Sequence, residues 1–221
     1  MSGPSGGGTV PLLHVITDDA VVGRADFLPV AEEVLLAGGA GVALHLRGPV
    51  TPAATLVRLA EGLLPLACDA GGWLVVNDRA DVALVSGCPR VQLGTRSLPP
   101  HSARAILGQG AGIGVSVHDA AEAGAAAAAG ADWVVVGTIY ETPSHPQRAG
   151  AGAGLVEDAV AVGSGVPVIA IGGVTPERIG ELRRAGAHGV AVIRGIWAHR
   201  DPAGAVREYL QELNATTKEG P

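Results

Sequence analysis

Short aliphatic runs alternate along this chain with longer stretches of helical periodicity. The runs fall at residues 12–17, 41–46, 73–76, 91–93, 112–118, 132–136, 166–171 and 189–193. Most are nearly continuous in Val, Leu, Ile and Ala, as parallel strands covered on both faces require. Between them, apolar positions recur three to four residues apart. Val30, Val34 and Leu35 mark a helix over 27–37, closed by Gly38 and Gly39. Leu56, Leu59, Ala60, Leu63 and Leu64 mark the next, with Thr51 as its cap, Pro52 in its first turn and Pro65 bending or ending it. Further helices are expected near 79–86, 99–107, 119–129 (almost all alanine) and 155–162, after Thr175-Pro176, and over 201–213.

Eight strands alternating with about eight helices, at a spacing of about 25 residues, predict an α/β fold, a single (β/α)8 TIM barrel. Its expected span is 12–213, between a flexible leader at 1–11 and a flexible tail at 214–221. An open doubly wound sheet has the same alternation. It is disfavoured because the first strand-to-helix connection lacks the glycine pattern of a dinucleotide fold.

Composition narrows the picture. Hydrophobic residues make up 48% and aromatic ones 3%, so the core is built from Val, Leu, Ile and Ala. The 34 glycines and 15 prolines follow no strict period and indicate tight connections. A net charge of −6 without a basic block argues against a nucleic-acid partner but leaves small anions, which backbone amides can hold. The two cysteines, Cys68 and Cys88, form neither a disulfide framework nor a metal motif and read as small buried residues. No basic segment precedes an apolar run, and no run is long enough for a membrane span. The expectation is a cytoplasmic protein with no membrane partner.

In a barrel, all strand C-termini meet at one rim, where chemistry is placed. Residues 112–118 are the run that ends in Ser116 and His118. An imidazole titrates near neutrality and can move a proton. The alternative is a helix-start histidine bonded to backbone or solvent. A Ser-His-acid nucleophile lacks its sequence elbow. Gly172-Gly173 lets the backbone approach an anion. The turn at Ile193 and Arg194 follows the neighbouring strand, so the two turns together predict a phosphate site. The rim also collects Arg47, Asn77, Asp78, Gln92, Arg96, Thr138 and His145, the last on a long connection after strand six. Asn77-Asp78, helped by Asp18 and Asp19, can hold a cation, or Asp78 can simply cap a helix, with Arg79 pairing to Asp78 or Asp81. His14 and His45 lie inside strands and read as structural. His101, His188 and His199 lie at helix termini, where hydrogen bonding explains them.

An ordered set of motifs adds a resemblance. It comprises Leu13-His14-Val15-Ile16-Thr17-Asp18, Asn77-Asp78-Arg79, Val91-Gln92-Leu93-Gly94, Gly114-Val115-Ser116-Val117-His118, Ala170-Ile171-Gly172-Gly173-Val174-Thr175-Pro176 and Gly189-Val190-Ala191-Val192. Together, over about residues 12–212, it resembles the thiamine phosphate synthase superfamily, which includes the synthase and the thiazole tautomerase of thiamine biosynthesis. The synthase couples an aminopyrimidine pyrophosphate to a thiazole phosphate with Mg²⁺. Its pattern has a lysine after the strand-two arginine, but here Arg47 precedes Gly48-Pro49. It also has an acid soon after the strand-four glycine that helps hold Mg²⁺, but here Thr95-Arg96-Ser97 follows Gly94. Its strand-six loop has a threonine-rich run ending in lysine, but here the run is Glu141-Thr142-Pro143-Ser144-His145.

The tautomerase is the better match, through the run 91–97 and Ser116-Val117-His118. That resemblance implies a cofactor- and metal-independent isomerase acting on a carboxylated dihydrothiazole ethyl phosphate. The histidine matching His118 is the acid/base group that takes the C2 proton as the ring becomes aromatic. Gly172, Gly173, Ile193 and Arg194 are then expected to anchor the phosphate, and Arg47 or Arg96 to meet the carboxylate. Gln92 and Asn77 would orient ring heteroatoms, with Ser116 and Thr138 also at the site. Family analogy adds a homodimer. The alternatives are a thiamine phosphate synthase and a non-catalytic or regulatory protein that binds a phosphorylated ligand.

Overall fold

The computed structural model describes residues 8–95, 97–142 and 150–215. Arg96, Ser144, His145, the leader before residue 8 and the tail after residue 215 lie outside the described residues. Eight parallel strands close into one barrel in sequence order. They are β1 (Leu13–Ile16), β2 (Val42–Leu46), β3 (Trp73–Asn77), β4 (Arg90–Leu93), β5 (Gly112–Val117), β6 (Trp133–Val136), β7 (Val168–Ile171) and β8 (Gly189–Val192). The helices run α1 (Asp19–Val22), α2 (Phe27–Gly38), α3 (Ala53–Asp69), α4 (Ala80–Ser86), α5 (Pro100–Leu107), α6 (Ala120–Ala128), α7 (Gly154–Val162), α8 (Ile179–Arg184), α9 (Arg194–Trp197) and α10 (Pro202–Ala215). The predicted (β/α)8 barrel is therefore the observed fold. No helix among the described residues is long and apolar enough to cross a membrane.

Strand alternation divides the chain into two packed layers. Leu13, Val15, Leu44, Leu46, Leu74 and Val76 point outward onto the helices. Ile16, Ala43, Val75, Trp73, Trp133, Val135, Ile169 and Ala191 fill the inside. Two tryptophans supply much of the interior volume in a chain otherwise poor in aromatics. Trp133 also explains one glycine. A Cβ on Gly114 would collide with the Trp133 indole and the Gln92 amide, so that inward-facing position of β5 must be bare. At the closed end, Val10 packs against the interior cluster and its carbonyl accepts from His188 Nε2 at 2.7 Å, so residues near the expected leader boundary lie against the barrel.

Several local expectations are corrected. α3 continues through Pro65 to Asp69. The carbonyl that proline leaves without a partner, on Glu61, lies on the exposed side of the helix, where water can satisfy it. Pro52 precedes α3, and Thr51 Oγ1 instead donates to Asp19 Oδ1 at 2.6 Å, which ties the β1 and β2 loops together. Asp78 adopts a left-handed conformation (φ 62°) and caps no helix. Cys88 is buried as expected, whereas Cys68 is exposed on the last turn of α3.

Candidate active site

The C-terminal ends of the strands surround a cavity of about 1060 Å³. Arg47, Asn77, Gln92, Ser116, His118, Thr138, Gly172, Gly173, Ile193 and Arg194 all line it. Ten positions scattered from β2 to β8 thus converge on one mouth, because parallel strands in a closed barrel all end on the same side. Arg96, also expected here, is not among the described residues.

His118 follows β5 directly, ahead of the Asp119 cap of α6. Asp119 Oδ1 accepts the Glu122 backbone N–H at 2.7 Å, and Glu122 Oε2 reaches back to the His118 backbone N–H at 2.7 Å. This reciprocal pair is a variant of the capping box and holds the histidine's backbone at the rim. The same Glu122 oxygen stands 3.2 Å from His118 Nδ1. A carboxylate only accepts, so that contact places the ring proton on Nδ1 and leaves Nε2 unencumbered.

Two polar lines run through the interior toward the mouth. In the first, His14 and His45 are wholly buried, with His14 Nδ1 2.8 Å from His45 Nε2 and His45 Nδ1 2.9 Å from Asn77 Oδ1. Desolvation drives both rings away from protonation. His14 falls well below the ordinary 6.5, helped by the neighbouring His45, and His45 falls to about 4 through burial. In the second, the Trp133 indole donates to Gln92 Oε1 at 2.8 Å, and Gln92 Nε2 donates to Ser116 Oγ at 3.0 Å. Both ends of the Gln92 amide are engaged and the residue is buried, so it supports Ser116, whose hydroxyl hydrogen remains to donate elsewhere.

The loops after β6, β7 and β8 form the opposite wall. Gly172 (φ 108°) and Gly173 (φ 60°) take conformations that suit glycine. A Cβ on Gly173 would stand 2.7 Å from the Glu141 carbonyl, and one on Gly172 2.6 Å from Thr138 Cγ2. The start of the β6 loop runs against this turn, with Ile139 N–H donating to Ile171 O at 2.9 Å and Tyr140 N–H to Gly172 O at 3.0 Å. Arg178 donates to Gly173 O at 2.6 Å and lies 4.2 Å over the Tyr140 ring. Tyr140 Oη donates to Glu181 at 2.7 Å; burial and that carboxylate push its phenol up to about 12. Arg194 reaches Thr142 Oγ1 at 3.1 Å. From α10, Tyr209 Oη donates to Val174 O at 3.0 Å and would block any side chain on Gly195, which locks the β7 and β8 turns side by side.

Three participants escaped the sequence reading. Glu122 was legible, since Asp119 and Glu122 stand at capping-box spacing. Arg178 and Tyr209 carried no local signal, because one reaches the rim from the turn before α8 and the other from α10, and packing sets both directions.

Asp78 was expected either to help hold a cation or to cap a helix. It caps no helix; its Oδ1 accepts from Gly94 N–H at 3.1 Å and from Ser97 Oγ at 2.7 Å, joining the β3 and β4 loops. Asp19 is likewise engaged, by Thr51 and by Val50 N–H at 3.1 Å. Among the described residues, no cluster of three or more His, Cys, Asp or Glu side chains is arranged to hold a metal. Beside Asp78 stands the Ser97 hydroxyl, and Asp18 and Glu141 also line the cavity.

Fold and rim together define a (β/α)8 barrel with a cavity at the C-terminal ends of its strands, one wall of glycine turns and arginines, the other of buried hydrogen-bonded side chains. The family model "Thiamine monophosphate synthase" matches residues 13–196, and the chain belongs to that family. The thiamine-phosphate synthase of Roseiflexus castenholzii is 40% identical over 205 residues, covering 92% of this chain and 87% of that one. That of Methanoculleus marisnigri is 36% identical over 209 residues, covering 94% and 98%. The solved thiamine phosphate pyrophosphorylase of Pyrococcus furiosus superposes with a TM-score of 0.80 at 26% identity, covering 93% of this chain and 96% of that one.

Proposed function

We propose that this barrel is a thiazole tautomerase within the thiamine monophosphate synthase family. The observation that carries the reading is the pair His118 and Glu122 at the cavity rim, with Nδ1 3.2 Å from Oε2. Glu122 holds the ring in the tautomer whose Nε2 can accept a proton. His118 Nε2 takes the C2 proton of the carboxylated dihydrothiazole phosphate. The electron pair left at C2 moves into the ring, the exocyclic double bond moves inward, and the side-chain carbon receives a proton. Atoms and charge balance without an oxidant or a metal. The imidazolium formed in the first half is the nearest source of that second proton.

The phosphate belongs against Gly172, Gly173 and the Ile193–Arg194 turn, with Arg178 holding the Gly173 carbonyl from behind. Arg47 belongs with the substrate carboxylate, and Thr138 with the β6 side of the ligand. His145 and Arg96 remain candidates by sequence position alone.

A second reading, a thiamine-phosphate synthase, is favoured by the names of the relatives above. Against it stand the Gly48-Pro49 run after Arg47 and Ser97 bonded to Asp78. One assay separates the two. Purified protein is given the non-aromatic thiazole phosphate and, separately, the aminopyrimidine pyrophosphate with the aromatic thiazole phosphate and Mg²⁺. Aromatisation that survives chelation and is lost in His118→Ala supports the tautomerase. Thiamine phosphate formation abolished by chelation, with no aromatisation, establishes the synthase.

A further inference from the structure

The hydrogen bonds of the buried His14–His45 pair have a direction, and that direction reaches the cavity wall. Pro11 O, which can only accept, lies 3.2 Å from His14 Nε2, so this nitrogen carries a proton. Both rings are wholly buried and held neutral at pH 7 by desolvation. A neutral ring protonated at Nε2 is bare at Nδ1. His14 Nδ1 therefore accepts across 2.8 Å from His45 Nε2, and His45 Nδ1 is bare in turn. The group 2.9 Å from that bare nitrogen is the Asn77 side-chain amide, with its oxygen toward the ring. Oxygen there sets lone pair against lone pair, whereas the amide nitrogen would donate. A half-turn about Cβ–Cγ exchanges the two ends, and only hydrogen bonding distinguishes them.

The opposite direction keeps the oxygen in place but reverses both rings. It leaves His14 Nε2 bare against the Pro11 carbonyl at 3.2 Å, at a side chain with no exposure to water. We propose that the His14–His45 chain turns Asn77 so that its amide nitrogen faces His45 and its carbonyl oxygen faces the cavity. This wall then accepts hydrogen bonds. It takes an amino, hydroxyl or protonated ring-nitrogen group of the ligand and turns away a carboxylate or phosphate, which are left to the arginines. Asn77 is the residue that discriminates, and His14 and His45 position it. The inference is independent of which of the two reactions the barrel performs.

The test reads the protons directly. In long-range ¹H–¹⁵N spectra of the full-length, ¹⁵N-labelled protein at pH 7, two of the seven histidines are assigned by signal loss in His14→Phe and His45→Gln. The expected result is a single proton on Nε2 of each. A proton on His45 Nδ1, alone or beside one on Nε2, overturns the proposal. Asn77→Asp gives a second readout, because a carboxylate can only accept and His45 must then bring a proton to Nδ1. An unchanged His45 pattern in folded Asn77→Asp, with the new carboxyl shown by its ¹³C shift to be ionised, also overturns it. If that variant does not fold, the wild-type spectrum decides alone.

Discussion

Glu122 Oε2 accepts the His118 backbone N–H at 2.7 Å and stands 3.2 Å from the same residue's Nδ1. One carboxylate therefore fixes both the place and the tautomer of the histidine. His118→Ala is expected to lower kcat for aromatisation by about 10²–10⁴-fold, the usual worth of a general acid/base. Glu122→Gln keeps the backbone bond but can present its NH₂ to Nδ1. It is expected to lower kcat about tenfold with little change in KM, because the wrong tautomer then competes. A change confined to KM would assign Glu122 to binding instead.

Gly173 has φ 60° and space for no Cβ, the Glu141 carbonyl being 2.7 Å from where one would sit. Gly173→Ala is expected to cost about 1–3 kcal/mol of stability, as backbone strain of this kind does. It should also raise KM for the phosphorylated substrate. Thermal unfolding and steady-state kinetics measure the two effects separately, and an unchanged KM would remove this turn from the phosphate site.

The buried histidines predict a pH dependence of stability. Unfolded, each titrates near 6.5; folded, desolvation lowers both, His45 to about 4. Below pH 6.5 the unfolded chain binds more protons than the native one. The native state is therefore favoured fully above pH 6.5 and loses ground as pH falls toward about 4, by about 3 kcal/mol from His45 alone. Denaturant melts between pH 7 and pH 4 should show the loss, and His45→Gln should flatten it. An equal slope in the variant would place the titration elsewhere.

Ser97 Oγ lies 2.7 Å from Asp78 Oδ1. Ser97→Asp would set two carboxylates side by side, which repel unless a cation or a proton intervenes. The variant is expected to melt below the parent in chelator and to recover with millimolar Mg²⁺, while the parent responds little. Equal responses of the two proteins to Mg²⁺ would show that the parent site already suffices.

Cys68 is exposed, and Cys88 is buried with its thiol pushed up to about 11 by desolvation. A thiol reagent should titrate one cysteine per native chain and both after denaturation, as ionised and accessible thiols react first. Rapid reaction of both would show that the Cys88 region opens.

Much of this was legible in the sequence because strand order and strand polarity are local properties. Residues 112–118 read as a strand with His118 at its end, and the strand is Gly112–Val117 with His118 at the rim. Gly172-Gly173 announced a turn no other residue pair would make as easily. Pro65 misled because a proline's cost depends on whether water can reach the carbonyl it leaves bare. Cys68 misled because apolar spacing does not say where a helix's buried stripe ends. Asp78 misled because its partners, Gly94 and Ser97, come from the next loop of the barrel.

The chain's own order of aliphatic runs, helix caps and glycine turns determined a closed (β/α)8 barrel, and with it the gathering of Arg47, Asn77, Ser116, His118, Gly172 and Arg194 at one mouth. Only the tertiary structure decided what each polar group faces. Hydrogen-bond partners come from elsewhere in the fold: His14, itself bonded to Pro11, for His45, and Trp133 and Gln92 for Ser116. Those partners are far apart along the chain, and a donor or acceptor acquires its orientation only once the barrel has closed around it.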